Sequence, residues 1–87
     1  MTLRIGSEEF DRVVYDERAD VLYLSVGEPR EPASQEATKD GHLVRYDEDG
    51  KVIGITVVNV KWLIERDGGV RLPLRVPAED LAPALAD

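Results

Sequence analysis

The sequence predicts a mainly β domain with minor α content: a small antiparallel meander or twisted sheet of about six strands, one short helix and a C-terminal helical turn. Three observations predict it. Apolar and polar residues alternate with a period of two through most of the chain, as in Val21-Leu22-Tyr23-Leu24-Ser25-Val26. Asp40-Gly41 and Asp47-Glu48-Asp49-Gly50 fit hairpin turns, because Gly accepts a positive φ. With 87 residues there is no room for a catalytic domain beside a second module, so one domain over residues 1–87 is expected.

Leu3 and Ile5 alternate with Thr2 and Arg4, and Gly6-Ser7 offers a turn before Phe10-Asp11-Arg12-Val13-Val14-Tyr15 resumes an extended run. The chain should therefore open on a hairpin. Asp16 to Asp20 then breaks the apolar pattern with carboxylates that suit turns, ahead of the strongest strand, Val21 to Val26. Leu22, Leu24 and Val26 should share one face of that strand, and Val21, Tyr23 and Ser25 the other.

Pro29 and Pro32 keep residues 27–35 out of a central strand. Glu36-Ala37-Thr38 is expected as a short edge strand, and His42 to Tyr46 as the strand that returns after Asp40-Gly41. A long strand from Lys51 to Val58 follows the second turn, and Gly54 inside it marks a bulge or a close backbone approach.

Beyond Val58 two readings stand side by side. Asn59 caps a helix over Val60 to Arg66 with Trp62 and Ile64 or Leu63 inward, or Trp62 to Arg66 is a strand paired with Val70 to Leu74. Val70-Arg71-Leu72 reads as a last strand, placed at an edge by Pro73. Pro77, Glu79 and Asp80 start a helical tail over residues 77–87 that Pro83 keeps short. Leu81, Leu85 and Ala84 would dock this tail as an apolar stripe; a free or partner-bound tail is the other reading.

The chain carries 18 Asp and Glu against 11 Lys and Arg, for a formal net charge of −7. That balance opposes direct nucleic-acid binding, since affinity for phosphate comes mainly from Lys and Arg displacing counterions. It suits a basic partner, and equally simple solubility. Absence of cysteine removes disulfides, thiolate metal sites and a Cys nucleophile. No stretch has the length of a signal peptide core or a membrane span, so a cytoplasmic protein away from membranes is expected.

His42 is the only histidine, which removes His-pair metal sites, and its place after a tight turn predicts a solvated surface residue. Ser7, Ser25 and Ser34 sit in no G-x-S-x-G elbow. No glycine-rich segment has the spacing of a phosphate loop. No catalytic residue or cofactor is assigned, and an enzyme is not expected. The two acidic turns offer a hard-cation site from Asp16, Asp20, Asp47 and Asp49 if both lie at the same rim of the sheet. Carboxylates in turns more often bond nearby backbone amides. Tyr15, Tyr23, Tyr46 and Trp62 lack interleaved basic residues, and core packing is the role expected of them. The repeated Tyr-Asp-Glu at residues 15–17 and 46–48 fits two equivalent hairpins of a meander.

Two longer motifs carry a family resemblance. Tyr15, Asp16, Ala19, Asp20, Leu22 and Tyr23 form the first, and Tyr46, Asp47, Gly50, Gly54 and Ile55 the second, with Gly41 between them. In order and spacing they resemble the DUF2283 family of domains of unknown function, over residues 13–60. The N-terminal extension to Arg12 and the tail after Val60 lie outside the resemblance. The resemblance implies a small β-rich fold in which these motif residues are structural. It also implies an antitoxin-like or other protein-binding role, since some members look like partners of small putative toxins.

Two functions are therefore expected to compete: an acidic protein-binding module, acting through a strand edge or its tail on a basic partner, and a metal- or small-molecule-binding regulatory domain using the acidic turns. A thin core with exposed sheet edges adds the expectation of a homo-oligomer, a dimer being favoured.

Overall fold

The structure, a computed structural model, describes residues 1–72 and 75–85. The described residues form nine strands and two helices: β1 (Leu3–Ile5), β2 (Glu8–Phe10), β3 (Arg12–Asp16), β4 (Val21–Ser25), β5 (Ser34–Ala37), β6 (Leu43–Tyr46), β7 (Val52–Val58), α1 (Val60–Asp67), β8 (Gly69–Arg71), β9 (Arg75–Pro77) and α2 (Ala78–Leu85). Five of the strands make one antiparallel sheet in the order β3-β4-β7-β6-β5. The pairs β1-β2 and β8-β9 are separate two-stranded ribbons.

The fold class is as the alternation predicts, with a finer division of the strands. The run from Phe10 to Tyr15 is not one strand: it breaks at Asp11, whose carboxylate accepts a hydrogen bond from the Gly27 amide at 2.9 Å. That bond turns the chain out of the β1-β2 ribbon and into the edge of the main sheet. Among the two readings of Val60–Arg66, the helix is the one formed, and β8 pairs with β9 in its place. The edge placement drawn from Pro73 lies outside the described residues.

Strand alternation sorts one face of the sheet inward. Leu22, Leu24, Val44, Ile55 and Val57 are buried, and Val13, Tyr15, Tyr46 and Val52 pack against them. Val26, expected on that face, lies past the end of β4 and is exposed. The inward face is covered by residues outside the two motifs: Leu3, Ile5 and Phe10 from the opening ribbon, Val60 and Leu63 from α1, Val70, Leu72 and Val76 from the second ribbon, and Leu81 and Ala84 from α2.

The tail is docked through Leu85, with α2 packed against β1, β3 and β9. Pro83 does not end this helix at one turn. It forfeits one amide hydrogen bond, and burial of Leu81 and Ala84 on either side carries the helix past it. No helix among the described residues is long and apolar enough to cross a membrane.

Candidate functional site

Asp20 ties the β3-β4 turn to the start of α1 through its side chain and its carbonyl. It ends the β3-β4 turn in the left-handed region, with φ of 57°, so that its carboxylate faces the start of α1. One oxygen accepts from the Tyr15 hydroxyl at 2.7 Å and from the Lys61 amide at 2.9 Å, and the other from the Trp62 amide at 3.2 Å. The Asp20 carbonyl also accepts from the Val60 amide at 3.3 Å. A helix leaves its first amides without internal partners, and a carboxylate there satisfies them and complements the helix dipole.

The cap expected from Asn59 is therefore corrected. Asn59 adopts a left-handed conformation, makes no side-chain cap bond, and leaves the capping to Asp20, 41 positions before the Lys61 amide that it accepts from. The first turn of α1 holds no acidic residue of its own. Burial alone would raise the Asp20 carboxyl; the Lys61 amide, the Tyr15 hydroxyl and the Trp62 amide outweigh it and hold the group below the usual carboxylate range. The Tyr15 hydroxyl is pushed well above its ordinary value, first by burial and then by its bond to Asp20.

The second acidic turn is self-contained. One Asp47 oxygen accepts from the amides of Asp49 and Lys51, each at 2.9 Å, while Gly50 takes a φ of 79° that an L side chain rarely adopts. These amides, Lys51 foremost, lower the Asp47 carboxyl. Arg30 approaches its other oxygen at 3.4 Å, and Asp49 is exposed.

The strand register decides whether the turns can cooperate. β7 passes Val21, the residue after the first turn, at Val58, whereas Tyr46, just before the second turn, pairs with Val52. The turns lie at opposite rims, about 20 Å apart along β7. Asp16 and Asp20 therefore do not converge with Asp47 and Asp49. Asp16 accepts from the Ala19 amide at 3.2 Å. Among the described residues no group of three or more His, Asp or Glu is placed to hold a metal ion.

The remaining motif residues have separate tasks. Leu22 and Ile55 are core, Tyr46 is half-buried against it, Ala19 is exposed in the first turn, and Gly41 closes the β5-β6 connection. The backbone of Gly54 lies under the Arg45 guanidinium, and a Cβ there would overlap it. Tyr23 and Trp62 depart from the expected core packing: both point outward, and Trp62 stacks with Arg66 at 4.4 Å. Tyr15 and Tyr46 pack inward at matching positions of their two hairpins.

His42 is the residue that sequence reasoning misplaced most. It is fully buried, not solvated. Its Nδ1 accepts from the Val58 amide at 3.0 Å, where the end of β7 has run past Leu43, the first residue of β6. The proton must then sit on Nε2, which is buried without a hydrogen-bond partner. Burial lowers the pKa of the ring below 6.5, against an opposing pull from Asp40. A Gly-His step at a turn carries no sequence signal for this inward ring.

The sign of the resulting pH effect is fixed. Above pH 6.5 the ring is neutral whether folded or not; below it the unfolded chain takes up the proton first, so stability falls as pH drops toward the lower folded value. Urea unfolding should show a loss of up to about 1.4 kcal/mol per pH unit as pH falls below about 6.5. His42→Gln should remove that slope, and a wild-type curve already flat there would contradict the buried ring.

No curated protein and no solved structure matches the chain significantly. Residues 12–61, more than half of its length and spanning both Tyr-Asp motifs, match the model of the family described as Protein of unknown function (DUF2283), and the chain belongs to that family.

Proposed function

We propose that this chain is a small acidic protein-binding module that pairs its β5 edge with an extended segment of a basic protein, in the manner of an antitoxin neutralising a small basic partner. The observation that carries the reading is the β5 edge itself. All four residues from Ser34 to Ala37 are exposed, and β5 bonds to β6 on one side only. The opposite edge, β3, has α2 packed against it.

The register says which groups are free. Thr38 donates to the His42 carbonyl at 2.8 Å, and in an antiparallel pair bonded and non-bonded positions alternate. Glu36 therefore bonds inward to Val44, while the amides of Gln35 and Ala37 face outward. An edge of this kind accepts an added strand through main-chain hydrogen bonds, and a net charge of −7 favours approach of a basic partner. Docking of the tail through Leu85 leaves the strand edge as the better-supported route.

Co-expression with the protein encoded on each side of it tests this reading. A complex is expected that survives size-exclusion chromatography and weakens about fivefold with Gln35→Pro, since proline removes an outward donor worth about 1 kcal/mol while sparing the β5-β6 bonds. Absence of a complex with either neighbour, or a complex indifferent to both Gln35→Pro and Ala37→Pro, would count against it.

A further inference from the structure

The outer face of the five-stranded sheet is uncovered across its middle. Register places Val14, Tyr23, Thr56, Leu43 and Ala37 in one row running across all five strands. Val14 is 56% and Tyr23 43% exposed, and both are large hydrophobic side chains on a chain that is otherwise strongly acidic. Val21 and Val58 adjoin the row on one side. On the other side Arg45 lies down over Gly54, and the segment from Val26 to Arg30 lines a groove with it, Ser25 and Ile53. Single exposed apolar residues are ordinary, but a row that is apolar on every strand except at Thr56 marks a contact surface.

We infer that this face is covered by the same face of a second copy of the chain, with strands aligned as in a β-sandwich and a two-fold axis running across the strands along the Val14–Tyr23–Thr56–Leu43 row. The charges at the ends of β3 choose this occupant. Arg12 and Asp16 flank Val14 on the same outward face, two residues to either side, and both are exposed. Rotation about an axis along the row exchanges the two ends of β3, so Arg12 of each copy lies over Asp16 of the other. A surface with opposite charges placed symmetrically about an apolar row is complementary to itself.

Twisted sheets pack face to face with their strands within about 30° of one another, which sets the two Tyr23 rings against each other one strand in from the β3 edge. Five strands at about 4.8 Å spacing and about 17 Å in length offer a footprint of about 400 Å² per copy. That is below the roughly 800 Å² of accessible surface per partner in a standard interface, so the dimer should be weak, with a dissociation constant on the order of 10 μM.

Sedimentation velocity on the full chain over about 1–500 μM tests the assignment, a span that brackets that dissociation constant. Wild type should pass from monomer to dimer, and Arg12→Asp and Asp16→Arg should each weaken association at least about tenfold, because like charges then oppose across both contacts. An equimolar mixture of the two variants should form a heterodimer at wild-type strength, since each then meets its complement; this also shows that both variants are folded. A wild type that stays monomeric throughout, a dimer unaffected by either variant, or a mixture that fails to associate would overturn the assignment. The Arg12–Asp16 contacts lie on β3, at the far edge of the sheet from β5, so the charge variants should act on association equally with and without Gln35→Pro, and failure of either proposal leaves the other standing.

Discussion

Phe10→Ala is expected to cost about 3–5 kcal/mol of stability, the range for removing a buried aromatic side chain. Phe10 is fully buried and, with Ile5, Val44, Val52, Ile55 and Leu72, lines an apolar cavity that already holds about 110 Å³. Truncation would enlarge that void and strip contacts from the sheet and both ribbons at once. A domain of this size has a total stability of only about 4–13 kcal/mol, so the variant should be largely unfolded or shifted by several molar in urea midpoint. The measurement is informative because Phe10 lies outside residues 12–61, the span matched by the family. A loss below about 1 kcal/mol would mean that the opening ribbon is an appendage and not part of the core.

Asp20→Ala should follow at about 2–3 kcal/mol, from the loss of a helix cap worth about 1–2 and of the part-buried Tyr15 bond worth about 1. Two further substitutions separate the causes. Asp20→Gly relieves the φ of 57° but restores no hydrogen bond, and should recover less than half of the loss. Asp20→Asn keeps one acceptor and tolerates the same backbone conformation, and should recover more. Asn59→Gly should stay within about 0.5 kcal/mol of wild type, because Asn59 makes no cap bond.

The acid limb supplies an independent reading of the same residue. A carboxyl lowered in the folded state stabilises above its unfolded value of 3.8, and that contribution disappears as pH falls through the folded value. Asp20→Asn should therefore flatten unfolding curves below about pH 4 relative to wild type. Equal acid sensitivity in the two proteins would assign the limb to Asp47 and Asp67, whose carboxyls are also lowered.

What could be read from the sequence was what depends on neighbours along the chain. Period-two alternation fixes which way Leu22 and Leu24 point, and glycine at residues 41 and 50 fixes the turns, because backbone sterics act over two or three residues. The errors share the opposite property. Asn59 is the right residue type in the right place for a local cap, yet the turn that closes β3 onto β4 brings Asp20 to the same amides. His42 looks like a surface residue until the end of β7 needs an acceptor for Val58, a demand created 16 residues away. Trp62 has the bulk of a core residue, but the docking of α1 through Val60 and Leu63 turns it outward. The four aspartates were separated by topology: antiparallel pairing puts the β3-β4 turn at the Val58 end of β7 and the β6-β7 turn at the Val52 end.

The remote cap on α1 bears on the order in which the molecule assembles. An eight-residue segment holds too few internal bonds to persist alone in water, so Val60–Asp67 gains its conformation only once the β3-β4 corner exists to receive it. During synthesis that corner leaves the ribosome first. Mutations that slow closure of the Asp16–Asp20 corner should then delay helix formation by the same factor, giving a kinetic signature in which a circular dichroism signal from one segment is governed by a bend in another.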